Sequence, residues 1–284
     1  MSDPVELLIA AERLPADYAE VVEMHWKPLA TRIARAAANR KPLIVGINGA
    51  QGTGKSTLCK FLEVLLKQRG LRAMTLALDD LYLTQAERLQ LAAEVHPLFE
   101  TRGVPGTHAV AMGFSIIEAV LAGREFEIPH FDKSCDDRSN DVTRVSGPVD
   151  VLLFEGWCIG AVPEKASALA RPINLLEAEE DPEWTWRTLV NHWLGEDYKQ
   201  LFGLIDLLVM LKVDSFDSVL ANRRLQEQKL ADLNPIGPGL MDEEALVRFI
   251  SHYERLTRHI LTEMPDRADI LYSIGPDQRP RIGN

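Results

Sequence analysis

Hydrophobic and polar positions follow two periods along this chain. Short apolar runs at residues 43–47, 73–78, 149–154, 205–211 and 269–274 have the length and composition of strands buried on both faces. Between them, apolar residues return at helical spacing. Tyr18, Val21, Val22, Trp26, Leu29, Ile33 and Ala37 make one such face, interrupted near Pro28, and Leu58, Phe61, Leu62, Leu65 and Leu66 make another, closed by Arg69-Gly70. Residues 84–122 hold two helical patterns around a Gly/Pro-rich stretch, Arg102 to His108. Residues 177–201 open with an acidic turn and continue as one helix, with Trp184, Trp186 and Trp193 expected in the core. Asp242 caps a long helix carrying Leu246, Phe249, Ile250, Tyr253, Leu256 and Ile260 on one stripe. This alternation predicts an α/β fold: about five parallel strands, covered on both faces and joined by right-handed crossovers. Residues 1–284 form one domain in this reading, with 1–40 as a helical extension packed outside the sheet.

Chemistry enters between the first strand and its helix. Residues 49–56 read G-A-Q-G-T-G-K-S, a glycine-rich phosphate-binding turn in the strand-to-helix context it requires. The three glycines are expected to take positive φ so that successive amide N–H groups converge on an anion at the helix N-terminus. Lys55 is expected on the β- and γ-phosphates and the Ser56 hydroxyl on Mg²⁺. The nucleotide-binding set is thus Gly49, Ala50, Gln51, Gly52, Thr53, Gly54, Lys55, Ser56 and Thr57.

Two further strands end in acids. Asp79-Asp80 follows 73–78 and Glu155 follows 149–154, at the carboxyl ends of strands where open α/β sheets bind ligands. One of the two aspartates suits a base for an attacking hydroxyl; Ser56, Asp79 and Glu155 are the metal-ligand set. Asp150 begins its strand and belongs to the opposite end of the sheet. Residues 129–138 are dense in charge, and their composition suits a substrate pocket or an exposed loop equally well. A polar helix over 218–233 carries Arg223-Arg224 and Lys229 before a Pro/Gly breaker at 234–239. A lid over about 215–240 that brings arginine onto a transferred phosphoryl group has this form, and so does a solvated helix face.

Composition narrows the partners. A net charge of −11 weighs against nucleic-acid binding, which depends on basic patches. Three widely spaced cysteines, Cys59, Cys135 and Cys158, suit reduced thiols rather than a disulfide framework. No apolar run approaches the ~18 residues of a membrane span, and the N-terminus lacks a basic-then-apolar leader. The expectation is a cytoplasmic protein that acts on a small molecule.

The runs L-D-D-L-Y-L-T (78–84), R-G-V-P-G-T-H (102–108), F-D-K-S (131–134) and F-E-G-W (154–157), added to the phosphate loop, resemble the P-loop small-molecule kinases related to uridine kinase, phosphoribulokinase and pantothenate kinase, and within them the D-glycerate 3-kinase branch. The resemblance covers about residues 41–274. It implies a P-loop NTPase fold with a small helical lid, and ATP and Mg²⁺ as cofactors. It further implies Asp79 as catalytic base with Asp80 beside it, and Glu155 assisting Mg²⁺. His108, Lys133 and Arg138 would face an anionic hydroxy-acid acceptor, with Arg223 or Arg224 in the lid. Ala109 stands where the family tends to carry an acid. A kinase for another alcohol, such as pantothenate or a nucleoside, is the alternative within the family. A nucleotide-dependent switch is the alternative outside it, although Leu211 occupies the asparagine position of the guanine-reading motif that Lys212-Val213-Asp214 would complete.

Overall fold

A computed structural model describes residues 3–233 and 241–282. Its strands are β1 (Leu43–Gly49), β2 (Ala73–Ala77), β3 (Phe126–Asp132), β4 (Asp137–Val145), β5 (Val151–Gly156), β6 (Leu207–Val213), β7 (Ile270–Ile274) and β8 (Pro280–Ile282). Six of them form one sheet in the order β2-β5-β1-β6-β7-β8. The five expected strands are mutually parallel. β8 adds an antiparallel edge strand beside β7.

Every residue of β1 and β5 is buried, as central parallel strands require. The helix after β1, Lys55–Lys67, buries Leu58, Phe61, Leu62, Leu65 and Leu66, each contributing about 1.5–3 kcal/mol over exposure. Gly70, at φ 75°, turns the chain back toward β2. In the N-terminal segment the interruption at Pro28 is a π-helical turn, Val22–Trp26, running directly into helix Lys27–Asn39 with the proline in its first turn. There the missing N–H costs nothing, and the wide turn absorbs the ring.

Two sequence expectations are corrected. Residues 126–145 are a hairpin, β3 paired antiparallel with β4 and bulged between Pro129 and Phe131. Phe126, Ile128, Phe131 and Val145 supply its buried face, while its charged tip hid the alternation. Residues 177–201 are not one helix but parts of three, Leu175–Glu179, Thr185–Gly195 and Asp197–Phe202. Within this region Trp186 is buried and Trp184 exposed. Glu177 and Asp181, expected in an acidic turn, have fully buried side chains. Arg187 Nη1 donates to Asp181 Oδ2 at 2.8 Å, and Arg255 grips Glu177 with two bonds of 2.7 and 2.6 Å. Burial is possible because each carboxylate meets a guanidinium and backbone N–H donors.

Cys59, Cys135 and Cys158 are free thiols. Among the described residues, no helix is long and apolar enough to cross a membrane.

Candidate active site

The phosphate turn sits at the carboxyl end of β1. Gly52 and Gly54 take φ of 77° and 84°, conformations open to glycine at little cost. Gly49 does not. It lies within β1, and its need is steric, because a Cβ there would come within 2.6 Å of Thr53 Oγ1. The Thr53 hydroxyl turns inward and donates to Ala50 O at 2.9 Å, so Thr53 has only its backbone to offer a ligand. Lys55 curls over the loop and donates to Ala50 O at 3.2 Å. A Cβ on Gly54 would meet open space. That hollow lies beside the first N–H groups of helix Lys55–Lys67, which have no acceptor within the helix.

Parallel register carries the acids to the same rim. Glu155 stands level with Ile47 of β1 and Ala77 of β2, almost fully buried. Its Oε1 accepts from Ser56 Oγ at 2.6 Å. Directly after β2, a 3₁₀ turn (Leu78–Leu81) presents Asp79 and Asp80, and the two part company. Asp79 Oδ1 accepts from Tyr82 OH at 2.9 Å and Oδ2 from Lys133 Nζ at 2.5 Å. Asp80 instead accepts the Phe131 N–H at 3.0 Å, which pins the hairpin to the turn. Burial pushes both carboxyls up. At Asp80 burial prevails and the value is raised. At Asp79, Lys133, Lys55 and Tyr82 outweigh it and hold the value at about 2.

The hairpin tip is secured from below. Arg88, fully buried, donates to Leu83 O, Glu100 O and both a backbone and a carboxylate oxygen of Asp136. Arg102 also pairs with Asp136, and both guanidiniums lie 5.6 Å from the centre of the Phe131 ring. Arg138 donates to Tyr82 O at 2.8 Å. Lys133, on the tip, is 59% exposed.

Residues 102–108 are mostly buried. Leu83 N donates to Thr107 O and Ala109 N to Leu81 O, so this stretch runs alongside the aspartate turn. Gly103 has φ 126°, and its carbonyl accepts the Trp157 indole N–H at 2.8 Å. A Cβ on Gly103 would fall 2.0 Å from the Tyr253 hydroxyl. Gly103→Ala is therefore expected to cost about 1–3 kcal/mol through backbone strain, before any repacking. Thermal unfolding checks this, and an unchanged Tm refutes it.

His108 is buried, stacked on Tyr82 with centroids 4.8 Å apart, with Nδ1 2.6 Å from Tyr198 OH and Nε2 lacking a partner. Burial lowers its pKa to about 3, against a weaker opposing pull from Asp79. That value lies below the ~6.5 of an unfolded histidine, so the unfolded chain takes up the proton first as pH falls. Stability is then lost from about pH 6.5 downward. The share due to His108 is roughly 2 kcal/mol between pH 7 and 5. His108→Gln should lose correspondingly less over that interval in urea denaturation; equal losses would show that His108 does not govern this slope.

The structure thus brings Lys55, Ser56, Asp79, Asp80, Glu155, His108, Lys133 and Arg138 to one end of the sheet. It separates the two arginines expected in a lid. Arg223 lies 5.7 Å over the Phe249 ring, which stacks on Tyr253. Arg224 pairs with Glu243 at the surface. The breaker at 234–239 falls outside the described residues. Sequence reading gave no role to Tyr82, Arg88, Asp136 or Asn48, whose Nδ2 donates to Trp157 O and Ile159 O. Asn48 adjoins and Tyr82 lies within motifs that were noticed, and Asp136 falls in the charge-dense segment 129–138, whereas nothing local marks Arg88.

A phosphate turn on β1, with acids ending the two neighbouring strands β5 and β2, defines a P-loop phosphotransferase. No family model matches the chain. It is 34% identical over 227 residues to an uncharacterised kinase, mug58, of Schizosaccharomyces pombe, spanning 75% of this chain and 79% of that one. It is 28% identical over 262 residues to the chloroplastic D-glycerate 3-kinase of Arabidopsis thaliana, covering 86% of this chain and 55% of that protein. The solved D-glycerate 3-kinase of Cryptococcus neoformans superposes with a TM-score of 0.74 at 25% identity, over 92% of this chain and 98% of that one. The chain belongs to the P-loop small-molecule kinases, the family of these proteins and of uridine and pantothenate kinases.

Proposed function

We propose that this kinase moves the γ-phosphoryl group of ATP to a hydroxyl of a small anionic metabolite, with D-glycerate giving 3-phosphoglycerate as the first choice. The observation that carries the proposal is Asp79. It lies close enough to Lys55 to feel its charge and carries an exposed lysine, Lys133, on its other side. A base between a phosphate-binding cation and a cation available to a second anion suits an acidic alcohol. The glycerate kinases of Arabidopsis and Cryptococcus support the particular acceptor.

In the proposed reaction the acceptor oxygen bonds to the γ-phosphorus while the bond to the β–γ bridging oxygen breaks. ADP keeps that electron pair, and the acceptor proton passes to Asp79 and then to solvent. The loop N–H groups and Lys55 hold the phosphates, so catalysis is positioning and charge stabilisation. Mg²⁺ fits the residues present: the Ser56 hydroxyl and Glu155 carboxylate meet at 2.6 Å beside the turn, hard oxygen donors suited to a cation that also takes phosphate oxygens. Bound there, it would neutralise charge developing on the phosphates. Helix Phe216–Leu233 is the lid of this proposal, with Arg223 or Arg224 its phosphate-contacting residue.

A coupled ADP-release assay over D-glycerate, other hydroxy acids, pantothenate and uridine tests the acceptor. D-glycerate is expected to give the highest kcat/KM. Stimulation by uridine or pantothenate alone would replace it.

A further inference from the structure

We infer that Arg102 is the carboxylate anchor of the acceptor site: the free edge of its guanidinium receives the acid group of the substrate, while Asp136 holds the rest of that guanidinium in place. This inference rests on the reading of the acceptor as an anionic alcohol and names the residue that recognises the anion.

Arg102 stands on a rigid mount. Its carbonyl accepts the Tyr253 hydroxyl at 2.7 Å. The next residue, Gly103, donates its N–H to Thr107 Oγ1 at 2.9 Å and accepts at 2.8 Å from the indole of Trp157, which follows the end of β5. Arg102 Nη1 bonds to Asp136 Oδ1, and the guanidinium lies over the Phe131 ring. The Nε and Nη2 hydrogens, which share one edge of the group, bond to no oxygen among the described residues, and the side chain is 20% exposed. Arg102 is thus held at one corner and open along an edge that can grip a carboxylate with two parallel bonds.

Charge points the same way. Asp136 is one carboxylate between two guanidiniums, those of Arg88 and Arg102, so the cluster keeps a surplus positive charge. Arg88 is fully buried and gives each of its nitrogens to an oxygen, which leaves Arg102 as the member that meets an incoming anion. Of the other cations on this rim, Arg138 donates to Tyr82 O, and Lys133 must divide its ammonium between Asp79 and any second anion. A lysine also offers a point charge in place of a matched pair of donors. Tyr82 links anchor to base: its hydroxyl sits on Asp79, and its ring packs on Phe131, over which Arg102 lies. Burial pushes the Tyr253 hydroxyl up, and the charges acting on it after burial include Asp79, which raises it, and Arg102 and Arg223, which lower it. The base, the anchor and an arginine of the proposed lid therefore surround one hydroxyl. An acid whose hydroxyl lies at Asp79 has a place for its carboxylate at Arg102.

The test measures kcat/KM for D-glycerate and for its uncharged amide, glyceramide, in wild type, Arg102→Met, Arg102→Lys and Lys133→Met. Arg102→Met should lose about 10–100-fold on the acid, mostly through KM, as expected when charge-assisted hydrogen bonds are removed. On the amide it should lose far less, so that the preference for acid over amide collapses. Lys133→Met should erode that preference less than Arg102→Met does. Arg102→Lys, which keeps a cation beside Asp136, should narrow the preference in part, and it decides the matter where Arg102→Met does not fold; an undiminished preference in Arg102→Lys overturns the paired grip. Both compounds use the same nucleotide site and the same base, so a variant that only disturbs the structure lowers both by one factor. Equal losses in Arg102→Met overturn the anchor, as does an acid preference that depends on Lys133 alone. The acceptor reading fails separately. Should wild type ignore D-glycerate but phosphorylate another acid, such as pantothenate, that acid and its amide replace the pair and the same ratio decides Arg102. Should it accept only uncharged alcohols, such as uridine, the anchor falls with the acceptor.

Discussion

Asp79→Asn is expected to lower kcat by about 10²–10⁴-fold, the usual contribution of a positioned general base, with nucleotide binding retained. The amide keeps the shape of the carboxylate and can still accept the Tyr82 hydroxyl on one side, but it cannot take a proton from the acceptor. Asp80→Asn should behave differently. Its Oδ1 accepts the Phe131 N–H, so that substitution acts through the position of the hairpin and raises KM as well as lowering kcat. Lys55→Ala, by contrast, loses a phosphate contact and should weaken nucleotide binding and turnover together. Steady-state kinetics with nucleotide titration separate the three, and an Asp79→Asn enzyme of full activity would move the base to Asp80 or Glu155.

The second large effect is on stability. Arg187→Met should cost about 3–5 kcal/mol, the penalty for leaving one member of a buried ion pair without its partner. Arg187 also donates to Leu169 O, Asp181 O and Glu177 O at 2.7, 2.6 and 3.3 Å, so four acceptors lose a charged donor at once. Against a total stability that is typically 5–15 kcal/mol, this is a large fraction. The urea midpoint should fall with the m-value unchanged. Replacing Asp181 by Leu in the same chain should recover only part of the loss, because the Asp181 oxygens also accept the buried Trp186 and Arg187 N–H groups. A single-variant loss below about 1 kcal/mol would show that water reaches the site. The effect bears on the active site through helix Glu243–Glu263. Arg255 of that helix grips Glu177, and its Tyr253 hydroxyl donates to Arg102 O at 2.7 Å.

The parts of the site that were legible in sequence are those whose chemistry is local. Gly49 to Ser56 are consecutive, and the strand before them and helix after them declare themselves by period. Glu155 was readable because β5 is an unbroken apolar run ending in an acid. The hairpin was not, because its buried face is small and its tip is crowded with charge. Glu177 finds Arg255 78 residues away, and Arg88 finds Asp136 at a distance of 48. No window of the sequence pairs such residues, and out of context each reads as a solvated charge. Asp79 and Asp80 were equivalent in sequence for the same reason.

The five parallel strands, the phosphate turn and the acids at two strand ends were determined by the sequence alone, since periodicity and glycine placement act over a few residues. Which aspartate meets Lys133, which arginine lies over Phe249, and which charges are buried in pairs was decided only by the tertiary structure. Those outcomes depend on desolvation and on contacts between residues far apart in the chain, which exist only once the sheet has brought its strand ends together.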